Sequence, residues 1–92
     1  MQEHHFKLYV PFATFVEALR GISDVTVVDE SELHCIGTLR SGGGLIARPA
    51  YPDATDLIVG EEDGDSIASG LADLLADRLG CQVSTPRPFE NA

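Results

Sequence analysis

Lysine is nearly missing from this 92-residue chain: Lys7 is the only one, and five arginines supply the other cations. From Pro49 to Asp77 there is no cation at all, yet eight carboxylates fall there: Asp53, Asp56, Glu61, Glu62, Asp63, Asp65, Asp73 and Asp77. That stretch accounts for eight of the nine net negative charges, so the acidity is a local field. Such a field attracts basic partners and repels nucleic acid and anionic membranes.

Other absences narrow the function further. No apolar run approaches the ~20 residues of a membrane span. The opening Met-Gln-Glu-His-His has neither a cationic nor an apolar region, so no secretory signal is expected and the cytoplasm is the expected compartment. Cysteine is limited to Cys35 and Cys81. In a reducing compartment these read as two small hydrophobes; a disulfide between them needs Cα atoms about 5.5–6 Å apart.

Motifs are scarce as well. His4, His5, His34, Cys35 and Cys81 show none of the paired spacings that announce zinc, and neighbours such as His4–His5 point to opposite faces of a strand. No GxSxG elbow occurs, and a thiol in an acidic field is raised in pKa, not activated. Glu61-Glu62-Asp63-Gly64-Asp65 superficially suggests a calcium loop, but no reading frame places glycine at position six with an acid at position twelve. Ser41-Gly42-Gly43-Gly44 opens toward a β-rich segment and carries no lysine, unlike a phosphate loop. It reads as a mobile tip. No metal, cofactor or catalytic residue is assigned, and the chain is expected not to be an enzyme.

What is present is patterning. Phe6, Leu8 and Val10 alternate as one face of a strand, which Pro11 ends. Phe12, Phe15, Val16, Leu19 and Ile22 form one apolar stripe of a helix that stops near Gly21. Strands follow over Asp24–Asp29 and Leu33–Arg40, with Leu33, Cys35 and Leu39 on the buried side. A second hairpin joins Leu45–Tyr51 to Asp56–Gly60, and Pro49 marks an edge or bulge in its first arm. A last helix is capped by Asp65 or Ser66, buries Ile67, Leu71, Leu74, Leu75 and Leu79, and ends at a left-handed Gly80. Cys81–Ser84 is a short final strand, and residues 85–92 are a frayed tail.

The expectation is one α+β domain over residues 1–92. It has a single antiparallel-rich or mixed sheet of four to six strands, with both amphipathic helices on one face. With the last strand in place and the middle hairpin an insertion, the order matches the ferredoxin-like split βαβ plan.

Two surfaces are candidates for function. The eight carboxylates named above form a docking set for a basic, nucleic-acid-binding protein, as an inhibitor or immunity-type protein would use. If the first and third strands are neighbours, Lys7, Tyr9, His34, Ile36 and Arg40 form a second interface, suited to a partner or a homodimer. The competing reading is a small-ligand or regulatory domain with a pocket between helices and sheet, its acidity reflecting solubility or adaptation to salt.

Overall fold

The computed structural model describes residues 2–40, 42–51, 53–61 and 67–84. Its elements are β1 (Gln2–Leu8), α1 (Phe12–Arg20), β2 (Val25–Glu30), β3 (Cys35–Leu39), β4 (Gly43–Ala50), β5 (Ala54–Glu61), α2 (Ile67–Leu79) and β6 (Val83–Ser84). The strands form one sheet in the order β2-β3-β4-β5-β1-β6, antiparallel at every pairing. This is the expected α+β architecture.

β1 lies between β5 and β6, so α2 carries the chain across β1 in the split arrangement. The second hairpin differs from expectation. It is not an insertion: β4 and β5 are the two middle strands. Leu45 and Ala47 pair with Val59 and Leu57, and all four are buried. These alternating side chains need cover, and only the centre of the sheet lies under both helices. Helix α1 packs on β2, β4 and β5, α2 on β5, β1 and β6, and the helices touch each other.

The helices follow from local chemistry. Pro11 precedes α1, and its carbonyl accepts the Phe15 amide at 3.0 Å. Phe15, Val16, Leu19 and then Ile22 are buried, with Phe12 at the margin of the core. Helix α2 buries Leu71, Ala72 and Leu75, with Leu79 partly covered. Its C-terminus is a Schellman motif. Gly80 has φ of 63°, its amide donates to the Asp77 carbonyl at 3.3 Å, and the Cys81 amide donates to Ala76 at 3.0 Å. The proposed cap residues Asp65 and Ser66, and the tail from 85 to 92, lie outside the described residues.

Three local expectations need correcting. Leu33 is 74% exposed, because the third strand begins only at Cys35 and Leu33 sits in the preceding turn. Leu74 is 42% exposed, because it borders a groove instead of the sheet. Pro49 lies in β4, a central strand, but β3 pairing stops at Ala47, so no strand on that side requires an amide from Pro49. The glycine run is also less a tip than a strand start. Gly42 turns the chain with φ of 106°, whereas a Cβ on Gly43 would sit 2.1 Å from the Gly60 carbonyl oxygen.

One buried polar contact ties the hairpin to the start of α1. The fully buried Thr55 hydroxyl donates to the Val10 carbonyl at 3.0 Å. Gly70 within α2 and Gly80 just past its end provide a test of the backbone argument, since a Cβ on either meets nothing within 4 Å. Gly70→Ala is expected to raise stability by up to about 1 kcal/mol through helix propensity. Gly80→Ala should lower it by about 1–2 kcal/mol, because only its φ is left-handed. Urea denaturation of the two variants reads both signs.

Candidate functional site

The ladder registers determine which residues share a face, since directly paired residues point the same way. On the helix side lie Phe6, Leu8, Thr55, Leu57, Val59, Leu45, Ala47, Cys35 and Leu39, all buried. Among the described residues no helix lies on the opposite side. It carries three cross-strand rows.

The middle row is Asp29, Ile36, Ile46, Ile58 and His5, each paired with the next across β2, β3, β4, β5 and β1. Ile46 is 42% exposed, and Ile36 and Ile58 are partly exposed beside it. Next to this ridge runs a row of small residues, Thr26, Thr38, Gly44 and Gly60, ending in Glu3. A hollow of about 220 Å³ opens there, lined in part by Gly44, Gly60 and the three isoleucines. On the other flank Arg48, Asp56, Lys7 and Ser84 pair in sequence, cation next to anion.

Of the eight candidate carboxylates, the four whose side chains are among the described residues, Asp53, Asp56, Asp73 and Asp77, do not gather on one face. Asp56 lies on the open side of the sheet, between Arg48 and Lys7. Asp73 and Asp77 are exposed on α2, which covers the other side, and Asp53 is in the β4–β5 turn. Glu61 closes β5; its side chain, with Glu62, Asp63 and Asp65, lies outside the described residues. Parity within strands was legible, but which strands flank Asp56 is a matter of sheet order.

The second candidate interface is also redistributed. β1 and β3 are not neighbours; β4 and β5 stand between them. Lys7 donates to the Tyr51 carbonyl at 3.0 Å and sits 5.7 Å from the centre of the Tyr9 ring. The Tyr9 hydroxyl is 3.4 Å from Ser84 Oγ. Arg40 follows β3 at the opposite end from His34 and borders a different groove. Ile36 alone remains at the centre, joined by Ile46 and Ile58. Those two are signalled in sequence by alternation with Leu45, Ala47, Leu57 and Val59, but only the register sets them beside Ile36.

His34 belongs to a turn. Its Nε2 donates to Asp29 Oδ2 at 2.8 Å, and its Nδ1 shares a hydrogen bond with Ser31 Oγ at 3.2 Å. These are the ingredients of a Ser-His-Asp relay, but the ring nitrogens are reversed relative to that arrangement. The hydroxyl also accepts the Leu33 amide at 3.1 Å, and the Ser31 amide donates to the His34 carbonyl at 2.8 Å. The group locks the β2–β3 connection. Arg20 reaches across from α1 to both oxygens of Glu30 at the end of β2.

The thiols are free and unactivated. Burial raises the Cys35 pKa, with the Glu30 carboxylate adding to it, and burial raises that of Cys81. Among the described residues no group of three His, Cys, Asp or Glu side chains could hold a metal ion, and no helix is long and apolar enough to cross a membrane. A groove of about 440 Å³ lies where α2 meets the edge of the sheet, lined by Ile22, Val25, Leu39, Leu71 and Leu74 with Asp24 and Arg40.

Comparison with known proteins adds no assignment: no family model matches the chain, and no curated protein matches it.

The hydrogen bond from His34 holds the Asp29 carboxyl below its usual range. A depressed folded-state pKa contributes stability above the unfolded value, near 3.9, and that contribution is lost as pH falls through the folded value. Wild type should therefore exceed Asp29→Asn in stability at pH about 6, and the two should converge as pH drops well below about 4. Denaturant titrations across that range measure the convergence.

Proposed function

We propose that this protein is a non-enzymatic interaction module that works through the helix-free face of its sheet. The observation that carries this reading is the in-register row Ile36–Ile46–Ile58 on a side that no helix among the described residues covers. Isolated surface hydrophobes are ordinary, but three in contact across neighbouring strands form a contiguous apolar patch. The paired charges Arg48, Asp56 and Lys7 give it a polar rim, the usual anatomy of a protein interface.

Docking of an anionic face onto a basic protein has less support. Asp56 lies between two cations, and Asp73 and Asp77 are on the other side of the molecule. The two versions differ in salt dependence. Contacts made by the isoleucine row persist as ionic strength rises, whereas docking through carboxylates weakens steeply.

The test uses the immobilised chain in a cell extract containing the free protein, with Ile46→Lys compared against Leu33→Lys, a substitution in the exposed turn. Ile46→Lys is expected to abolish specific retention and Leu33→Lys to leave it intact, from about 0.1 to 1 M NaCl. Circular dichroism verifies that both are folded. Retention that survives Ile46→Lys, or that is lost by about 0.5 M salt, overturns the reading.

A second reading, small-ligand binding, is favoured by the groove of about 440 Å³ with its apolar wall and Arg40 at the rim. It suits an apolar carboxylate. Octanoate should then raise the melting temperature of wild type but not of Leu74→Arg; no shift in wild type removes this reading.

A further inference from the structure

We propose that the partner on the open face is a second copy of this chain, docked about a two-fold axis that runs across the strands. This rests on the interaction-module reading above. The axis lies between the ridge Asp29–Ile36–Ile46–Ile58–His5 and the trough Thr26–Thr38–Gly44–Gly60–Glu3. The two rows are about 6.6 Å apart along the strands. Rotation about that axis lays each copy's ridge in the other's trough, with the strands of the two sheets running antiparallel.

The pairings this produces are compatible along the whole row. Ile46 enters over the partner's Gly44 and Ile58 over the partner's Gly60, where the absence of side chains leaves the hollow of about 220 Å³. Ile36 packs against the partner's Thr38. At the ends, His5 meets the partner's Glu3, and Asp29 meets the hydroxyl of the partner's Thr26. Every contact occurs twice, as an isologous interface requires. The other two-fold, along the strands, sets ridge on ridge and leaves both hollows empty; with its axis over the central isoleucine of β4 it also brings Arg48 onto the partner's Arg48.

Charge selects the same face. A chain of net charge −9 resists self-association unless it meets its copy where that charge is low. Among the described strand residues the open face carries two cations, Lys7 and Arg48, against three carboxylates, Glu3, Asp29 and Asp56, a single net negative charge. Asp73 and Asp77 remain on the far side of each copy.

Size sets the strength. Six strands spaced about 4.8 Å and averaging about six residues at about 3.3 Å give a projected face of roughly 570 Å² per copy. A standard interface buries about 800 Å² per partner. The dimer is therefore reversible, and salt tightens it by screening the long-range repulsion between two acidic chains.

Sedimentation equilibrium of the full chain tests this. Wild type should dimerise with a dissociation constant below about 1 mM, falling as salt rises. Ile46→Lys, and Gly44→Leu, which fills the trough, should each weaken it at least about tenfold. Position 44 accepts a side chain: its nearest neighbour is the Gly37 carbonyl at 3.4 Å. His5→Glu should weaken association through the partner's Glu3, and mixing it with Glu3→Lys chains should restore it; separate chains are needed because His5 Nε2 also lies 3.7 Å from Glu3 Oε1 of its own chain. Failure of that restoration, with Ile46→Lys still dissociating, overturns the placement of the axis. A wild type that is monomeric at about 1 mM overturns the dimer. The module reading then survives if another protein is retained in an Ile46-dependent manner, and falls if none is.

Discussion

The register of β5 between β4 and β1 is the constraint on which the rest of the structure depends. Val59 is paired with Leu45 and His4, and Leu57 with Ala47 and Phe6, so one set of odd and even positions across three strands turns toward the helices. A slip of one residue in any of these strands would turn its buried set outward. The hydroxyl of Thr55, bonded to the Val10 carbonyl at 3.0 Å under α1, fixes the same register at the other end of the strand. Because Leu57 and Val59 face inward, Ile58 cannot; Ile46 and Ile36 are turned outward by the same argument.

The open face is thus a consequence of covering the closed one. Two helices, nine and thirteen residues long, suffice for one side of a six-stranded sheet, and among the described residues no layer covers the other. What stands on that side is ordered by the same ladders: an apolar row, a row of small residues beside it, and a row of alternating charge. The β-bulge between Val27 and Asp29 shifts the edge strand so that Asp29 continues the isoleucine row, and Val28 is left exposed. Bulges and short strands are common protection for sheet edges, and here the outermost strands are the bulged β2 and the two-residue β6. With its edges short or bent, the sheet presents its face more readily than its edges to another molecule.

The acidity has a different origin from the face. Residues 49–77 run through the end of β4, a turn, β5 and most of α2, and these elements lie on different sides of the molecule. Of the carboxylates in that run, the described ones, Asp53, Asp56, Asp73 and Asp77, therefore stand in separate places. Arg48 and Lys7, distant from Asp56 along the chain in one case and adjacent by strand order in the other, both end beside it. Arg20 likewise is drawn from α1 to Glu30. Charge counts along a sequence describe a long-range field, but contacts are made by neighbours across the sheet.

Much of the architecture was legible in the residues. The period-two alternation of Phe6, Leu8 and Val10, the helical spacing of Phe15, Val16 and Leu19, and the left-handed Gly80 all follow from local rules of backbone and burial. The errors came where a local signal met a tertiary neighbour. Pro49 marks an edge or bulge by its chemistry, yet it stands in a central strand and is free of a neighbour on one side only because β3 pairing ends at Ala47. Leu33 and Leu74 fit apolar patterns, but a turn and a groove expose them. By itself the sequence determined the elements, their inward faces and the total charge, since these depend on residues a few positions apart. Strand order was decided only by the tertiary structure, because it depends on which long-range pairing buries the most apolar surface under two short helices. That order set the three isoleucines side by side and placed Asp56 between Arg48 and Lys7, away from Asp73 and Asp77.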